Sequence, residues 1–209
     1  MNKKLLTIVL AITLITSCQD NQKQNNNEYQ DNPESSDESV SNDRIDNNNI
    51  TKAKIDLDLE KAVNNFITCK KAATERNECR NSITEVIAET YELTEFNDPK
   101  LGYVVYDSIR LIVEQSRHWL QLGTISQKTI DQALEHTNRG GLALVIDTSK
   151  TYGHVVMIVP GETKKSGSWG MSLPYVLSLS NYKPEKSFSN KQLSYAFQKS
   201  DALKIYVRQ

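Results

Sequence analysis

An apolar run over residues 5–15 stops abruptly at Thr16, Ser17 and Cys18, and residues 19–49 then carry almost no large apolar side chains. A segment orders only if it buries enough apolar surface to offset its conformational entropy, and a stretch of Asn, Gln, Ser, Asp and Glu cannot do so. Whatever folds in this chain of 209 residues must therefore lie beyond about residue 50. Residues 1–17 begin with Lys3 and Lys4 and have too short an apolar core for a membrane span, the pattern of a secretory signal. Three segments are expected: a signal over residues 1–17, a polar tether over residues 18–50 and one domain over residues 51–209.

The junction Ile15-Thr16-Ser17-Cys18 resembles the lipobox of bacterial lipoproteins, in which the cysteine is acylated and becomes the mature N-terminus. That resemblance implies lipidation at Cys18 and anchoring without a spanning helix. With Gln19 after the cysteine, the resemblance to Gram-negative lipoproteins further implies the outer membrane, in the periplasm or facing outward. As a flexible coil of roughly thirty residues, the tether would let the domain search on the order of 30 Å from its anchor. The formal net charge of −1 hides an acidic tether against a mildly basic remainder. No basic run interleaved with aromatics occurs, so nucleic acid is not an expected partner.

Within the domain the hydrophobic period changes once. Leu59, Val63, Phe66 and Ile67 recur at helical spacing, and a second helix is predicted from Cys79 to about Tyr91 through Ile83, Val86 and Ile87, with Asn77 near its start. Residues 103–120 continue the helical pattern through Val105, Ile109, Ile112 and Val113, with Gly123 as its stop. Ser126 caps a shorter helix that carries Ile130, Ala133 and Leu134 and ends at Asn138-Arg139-Gly140-Gly141. From Leu142 onward short β-branched runs take over, at residues 142–146, 155–159, 173–179 and 203–207. The fold class is α+β, helices first and an antiparallel sheet after.

Only Cys69 and Cys79 remain after Cys18, and the histidines number three, so a Cys/His nucleophile pair has few candidates. Cys79 opens the predicted second helix, where unpaired amides and the helix dipole favour a thiolate. His154 follows Gly153 at the start of an apolar strand, and a histidine beside a thiol can take its proton for attack on an acyl carbon. His118 and His136 fall on predicted helices beside Arg117 and Glu135 and are expected at the surface. Cys69 is expected on the inward side of the first helix, near Phe66.

Asn77-Glu78-Cys79, Trp119-Leu120-Gln121-Leu122-Gly123, Asn138-Arg139-Gly140-Gly141 and Gly153-His154-Val155-Val156-Met157-Ile158-Val159-Pro160-Gly161 follow one another in an order that resembles the NlpC/P60 and CHAP group of papain-like cysteine hydrolases. The likeness runs from about Lys61 to Arg208 and is strongest for cell-wall amidase domains. It implies a papain-like fold and hydrolysis of an amide bond in peptidoglycan peptides through a thioester. Cys79 would be the nucleophile, His154 the base and then the acid, and backbone amides near Cys79 the oxyanion site. No cofactor or metal is implied. Peptidoglycan is the expected partner, with a cognate inhibitor or immunity protein as a further one.

The group places a third polar residue on a strand after the histidine, and this chain offers Ser178, Ser180 and Asn181 there, with Asp147 across the hairpin. Asn181 is the expected orienting residue because an amide oxygen can fix the imidazole tautomer. Trp169 and Tyr175 are expected to present an aromatic wall to substrate, although packing is the alternative for Trp169 and Trp119 alike. A competing arrangement pairs Cys69 with Cys79 in a disulfide, as an even number of cysteines outside the cytoplasm allows; the chain would then be a non-catalytic envelope lipoprotein that binds peptidoglycan or inhibits a wall enzyme. Replacing Cys18 by Ala should move the protein from the membrane to the soluble fraction or block its processing. Full retention of the variant with salt-washed membranes would rule out the lipid anchor.

Overall fold

The computed structural model describes residues 50–209 apart from residues 54, 55 and 76. The signal, Cys18 and nearly all of the tether lie outside the described residues. Four helices form: α1 (Leu59–Ala72), α2 (Ser82–Tyr91), α3 (Ile109–Gln115) and α4 (Gln127–Asn138). Ten strands accompany them: β1 (Asn97–Asp98), β2 (Gly102–Tyr103), β3 (Trp119–Thr124), β4 (Leu142–Asp147), β5 (Val155–Ile158), β6 (Lys164–Ser166), β7 (Met171–Leu173), β8 (Tyr175–Ser178), β9 (Phe188–Gln192) and β10 (Leu203–Arg208). Six of them make one antiparallel sheet in the order β3-β10-β4-β5-β8-β9, while β1-β2 and β6-β7 are separate two-stranded pairs. The domain is α+β.

Alternating side chains of this sheet enter two different cores. Leu142, Leu144, Ile146, Val155, Met157 and Leu177 face α1, α2 and α3, whose Phe66, Ile83, Ile87 and Ile109 complete the first core. Ala143, Val145, Val156, Ile158, Val176 and Ile205 face Ile130, Ala133 and Leu134 of α4, with Trp169 and Leu173 beside them. A strand covered on both sides has no polar alternate positions, which is why β4 and β5 read as unbroken apolar runs.

The helix boundaries differ from the sequence expectation where local signals compete with tertiary packing. α2 starts at Ser82 with Asn81 as its cap, so Cys79 lies in the turn before the helix and not in its first turn. Of the third helical pattern, Ile109–Gln115 is α-helical after a 3-10 turn at Tyr106–Ser108; Trp119 and Leu120 belong to β3, because β10 offers that segment a full edge of hydrogen-bonding partners. Gly123 does not end a helix. It sits within β3 at φ 118°, beside the register shift between Ile205 and Tyr206 on the partner strand. The apolar run over residues 173–179 divides at Pro174, which has no amide for a ladder, into the ends of β7 and β8. The cap at Ser126 forms as expected, its hydroxyl and Thr129 making a reciprocal capping box on α4.

Two further placements correct the sequence reading. His136 is buried to 2 % exposure, packed where a Cβ on Gly141 would approach its Nε2 to 2.4 Å, so Gly141 is required there as a space and His136 is not a surface residue. Trp119 is anchored by its indole N–H, which donates to Glu95 Oε1 at 2.7 Å; the same carboxylate takes two hydrogen bonds from Arg208 on β10. Among the described residues no helix is long and apolar enough to cross a membrane. Ile87, fully buried where α2 meets the sheet, tests this layer: Ile87→Ala should cost about 2–5 kcal/mol in denaturant unfolding, and a loss below about 1 kcal/mol would mean that α2 is not seated on the first core.

Candidate functional site

Gly153 sets up the site. A Cβ there would fall 1.6 Å from the Asp147 carbonyl oxygen, so only glycine lets the end of β4 pass so close to the start of β5. The same approach allows the Asp147 amide to donate to the His154 carbonyl at 3.0 Å, extending the β4–β5 ladder by one pair and fixing the backbone of His154. The glycine before the histidine thus has a steric reason, and the imidazole is presented from a rigid strand end.

Two contacts fix the ring and leave one side open. His154 Nε2 lies 2.8 Å from Ser178 Oγ on β8, and Ser178 itself is only 2 % exposed. The Phe197 ring packs against the imidazole with centroids 5.4 Å apart and planes tilted by 55°. The third side opens on a cleft of about 220 Å³ lined by Tyr106, Tyr152, Ser180, Asn181, Tyr182 and Ala196. Enclosure pushes the His154 pKa down to about 4, with the Asp147 carboxylate pulling weakly in the other direction, so the ring is neutral at neutral pH. If Nε2 carries the proton and donates to Ser178, Nδ1 presents a lone pair.

The imidazole's partner is therefore Ser178 and not Asn181. Asn181 lies in the cleft wall, and its Oδ1 is buried without a hydrogen-bond partner. It also lines a second hollow of about 150 Å³, with Asn77, Arg80, Tyr106 and Tyr182. The two hollows share Tyr106, Asn181 and Tyr182, so His154 borders one end of a groove and the turn around Cys79 borders the other. Arg80 in that turn is ion-paired with Asp107, accepted by Asn77 Oδ1 at 3.3 Å and laid over the Tyr106 ring at 5.3 Å.

Cys79 itself is joined to Cys69 by a disulfide, with their Cα atoms 6.1 Å apart. Of the two arrangements compatible with the sequence, the resting structure holds the bonded one, and in it Cys79 presents no thiol to His154. Cys69 is exposed near the end of α1 and does not lie inward with Phe66, whereas Cys79 is 7 % exposed and belongs to the first core. Cys79 also has φ 62°, a left-handed backbone that a non-glycine residue adopts only where its surroundings hold it.

The expected aromatic wall is not present as such. Trp169 is buried to 6 % in the second core, its carbonyl accepting from Lys199 Nζ at 3.2 Å, because the β6-β7 hairpin folds over α4 and needs a large apolar side chain beneath it. Tyr175 is half-buried against the first core and does not line the His154 cleft. The exposed aromatics at the cleft are Tyr152 and Tyr182, which carried no sequence signal beyond their place in polar loops. Among the described residues no group of three or more His, Cys, Asp and Glu side chains gathers as metal ligands. The sequence matches no family model and no curated protein.

The low His154 pKa makes a stability prediction. A histidine whose folded pKa lies below its unfolded value of about 6.5 favours the native state above that pH and penalises it as pH falls toward 4. The loss for His154 should be on the order of 3 kcal/mol by pH 4, and buried His136, also shifted downward by desolvation, acts in the same direction. Denaturant unfolding at pH 7.5 and pH 4.5 should show a larger drop for wild type than for His154→Gln. Equal drops would mean that His154 is not held neutral by the fold.

Proposed function

We propose that this chain is a cell-envelope lipoprotein, anchored through Cys18, whose papain-like domain hydrolyses an amide bond in peptidoglycan peptides with Cys79 as nucleophile and His154 as acid-base. The observation that carries the reading is His154: a neutral, desolvated imidazole, oriented by Ser178 at a strand end, opening on a groove whose far end is bordered by the Cys79 turn. Structural histidines are usually satisfied in a core, whereas this one directs a ring edge into solvent-accessible space among polar side chains.

The chemistry needs the reduced form. With a thiol at Cys79, His154 accepts its proton through Nδ1, the thiolate attacks the amide carbon, and the imidazolium returns the proton to the leaving amine. Water then enters with the same histidine as base and releases the acid product from the thioester. This requires the tautomer in which Nε2 donates to Ser178 Oγ and Nδ1 is unprotonated, which the 2.8 Å contact accommodates. Asn181, with its buried amide oxygen unpartnered, offers an acceptor for a peptide N–H of the substrate.

The disulfide favours a second reading, a wall-binding lipoprotein that uses the same groove without cleavage. One assay separates the two. Reduced, folded full chain incubated with peptidoglycan should generate new amino termini, and Cys79→Ala or His154→Ala should each lower the rate at least a hundredfold while the double variant loses little more. Ser178→Ala should retain more activity than either. Binding without new termini, on peptidoglycans of more than one cross-link chemistry, would overturn the hydrolase in favour of the binder.

A further inference from the structure

The two sulfurs of the disulfide are unequal. Cys69 is exposed at the end of α1, and Cys79 is buried in the first core at 7 %. An incoming thiolate must approach a disulfide along the S–S axis, and only the Cys69 end is open to it. Attack there forms a bond to Cys69 Sγ and expels Cys79 Sγ with the electron pair.

The turn around Cys79 suits its sulfur as the leaving group. Lys70 donates from Nζ to the Glu78 carbonyl, one residue before Cys79, and Arg80 follows it in sequence; these cations lie close enough together for Arg80 to depress the Lys70 pKa after desolvation has lowered it. Positive charge beside a sulfur stabilises the thiolate and makes it the better leaving group. Lys70 and Lys71 directly follow Cys69 in the last turn of α1, so charge does not distinguish the two sulfurs and their unequal exposure sets the direction of attack.

The loop also has its own hold on Cys79. Glu78 Oε1 accepts from the Thr74 amide, the Thr74 hydroxyl and the Glu75 amide at 3.1, 3.0 and 2.9 Å, and Ser82 Oγ donates to the Cys79 carbonyl at 3.1 Å. The Tyr106 amide donates to the Arg80 carbonyl at 3.0 Å, tying the turn to the groove wall. These bonds are independent of the disulfide and keep Cys79 in its turn once the bridge is open.

We propose that Cys69 is a redox cap on Cys79: a dithiol reductant attacks exposed Cys69, releases Cys79 as a thiolate in the turn that borders the groove, and so converts a resting domain into a nucleophile-bearing one. The balance is two-step. The first thiolate of the reductant forms a mixed disulfide with Cys69 and frees the Cys79 thiolate; its second thiol then attacks the reductant sulfur of that mixed disulfide, leaving Cys69 as a thiol and the reductant oxidised to its cyclic or bridged disulfide. The inference rests on the reading of Cys79 as nucleophile, but its chemistry can be measured without any substrate.

The experiment uses the detergent-solubilised full chain and three readouts. Limiting glutathione should leave its adduct on Cys69 in peptide mapping, and iodoacetamide should label Cys79 only after dithiothreitol. In Cys69→Ser, iodoacetamide should label Cys79 without reductant, and several-fold faster at pH 7 than an unactivated thiol, as a site that favours the thiolate requires. Peptidoglycan cleavage should need dithiothreitol in wild type and not in Cys69→Ser. If that variant fails to fold, dithiothreitol-reduced wild type, checked by circular dichroism, gives the same Cys79 labelling rate. A glutathione adduct on Cys79, Cys79 labelling no faster than an ordinary thiol, or equal cleavage by oxidised and reduced wild type would overturn the cap. Release of a fast-reacting Cys79 with no cleavage by any form would support the thiol chemistry and overturn the hydrolase reading instead.

Discussion

The pairing of β10 between β3 and β4 is the constraint on which the rest of the domain depends. β10 contributes Ile205 and Val207 to one core and Tyr206 to the other, and its Arg208 takes both oxygens of Glu95 from the loop below α2. Until residues 203–208 are in place, β3 has no partner and the two halves of the sequence share no continuous sheet. Such long-range pairing carries its loop-closure cost before any contact offsets it, so the helices of the first half have little to pack on early in folding. The groove lies off this centre, at the strand ends of β5 and β8. Strand ends are where backbone is held rigidly while side chains are released from the core, and His154 and Ser178 occupy such positions.

That division explains what the sequence disclosed. The expected single change from helices to strands near Gly140-Gly141 does not hold, because β3 precedes α4; periodicity is written by burial, so α1, α4, β4, β5 and β10 were legible within a few residues. β3 was not, because Trp119-Leu120 shares its spacing with the preceding helix and only the partner strand decides between them. β9 escaped because Phe188-Ser189-Asn190-Lys191-Gln192 is polar on an edge with one neighbour. Gly153-His154 stood out, and its physical basis is the close approach to the Asp147 carbonyl. Ser178 was one of several polar residues near the right place; the choice required the β5–β8 register, which pairs Val156 with Ser178 and which no local pattern encodes. Of the two readings left open for Trp169, packing holds, and only the folding of its hairpin onto α4 decides between them.

The cysteine pair shows how one local fact can reverse a chemical expectation without altering the fold. A histidine near pKa 4 is a weak base: the Asp147 carboxylate pulls it up only partly against desolvation, and in the disulfide form no thiolate anion adds to that pull. A thiolate at the other end of the groove would supply that anion, raising the imidazole toward the range useful for proton transfer while the imidazolium in turn stabilises the thiolate. Each group is then poorly suited to catalysis alone and suited to it together, so the basicity of His154 and the nucleophilicity of Cys79 become a single property of the reduced groove. Under the proposed cap, exposed Cys69 would place that property under outside control: a reductant acting on a sulfur that takes no part in the chemistry would determine whether the pair exists at all.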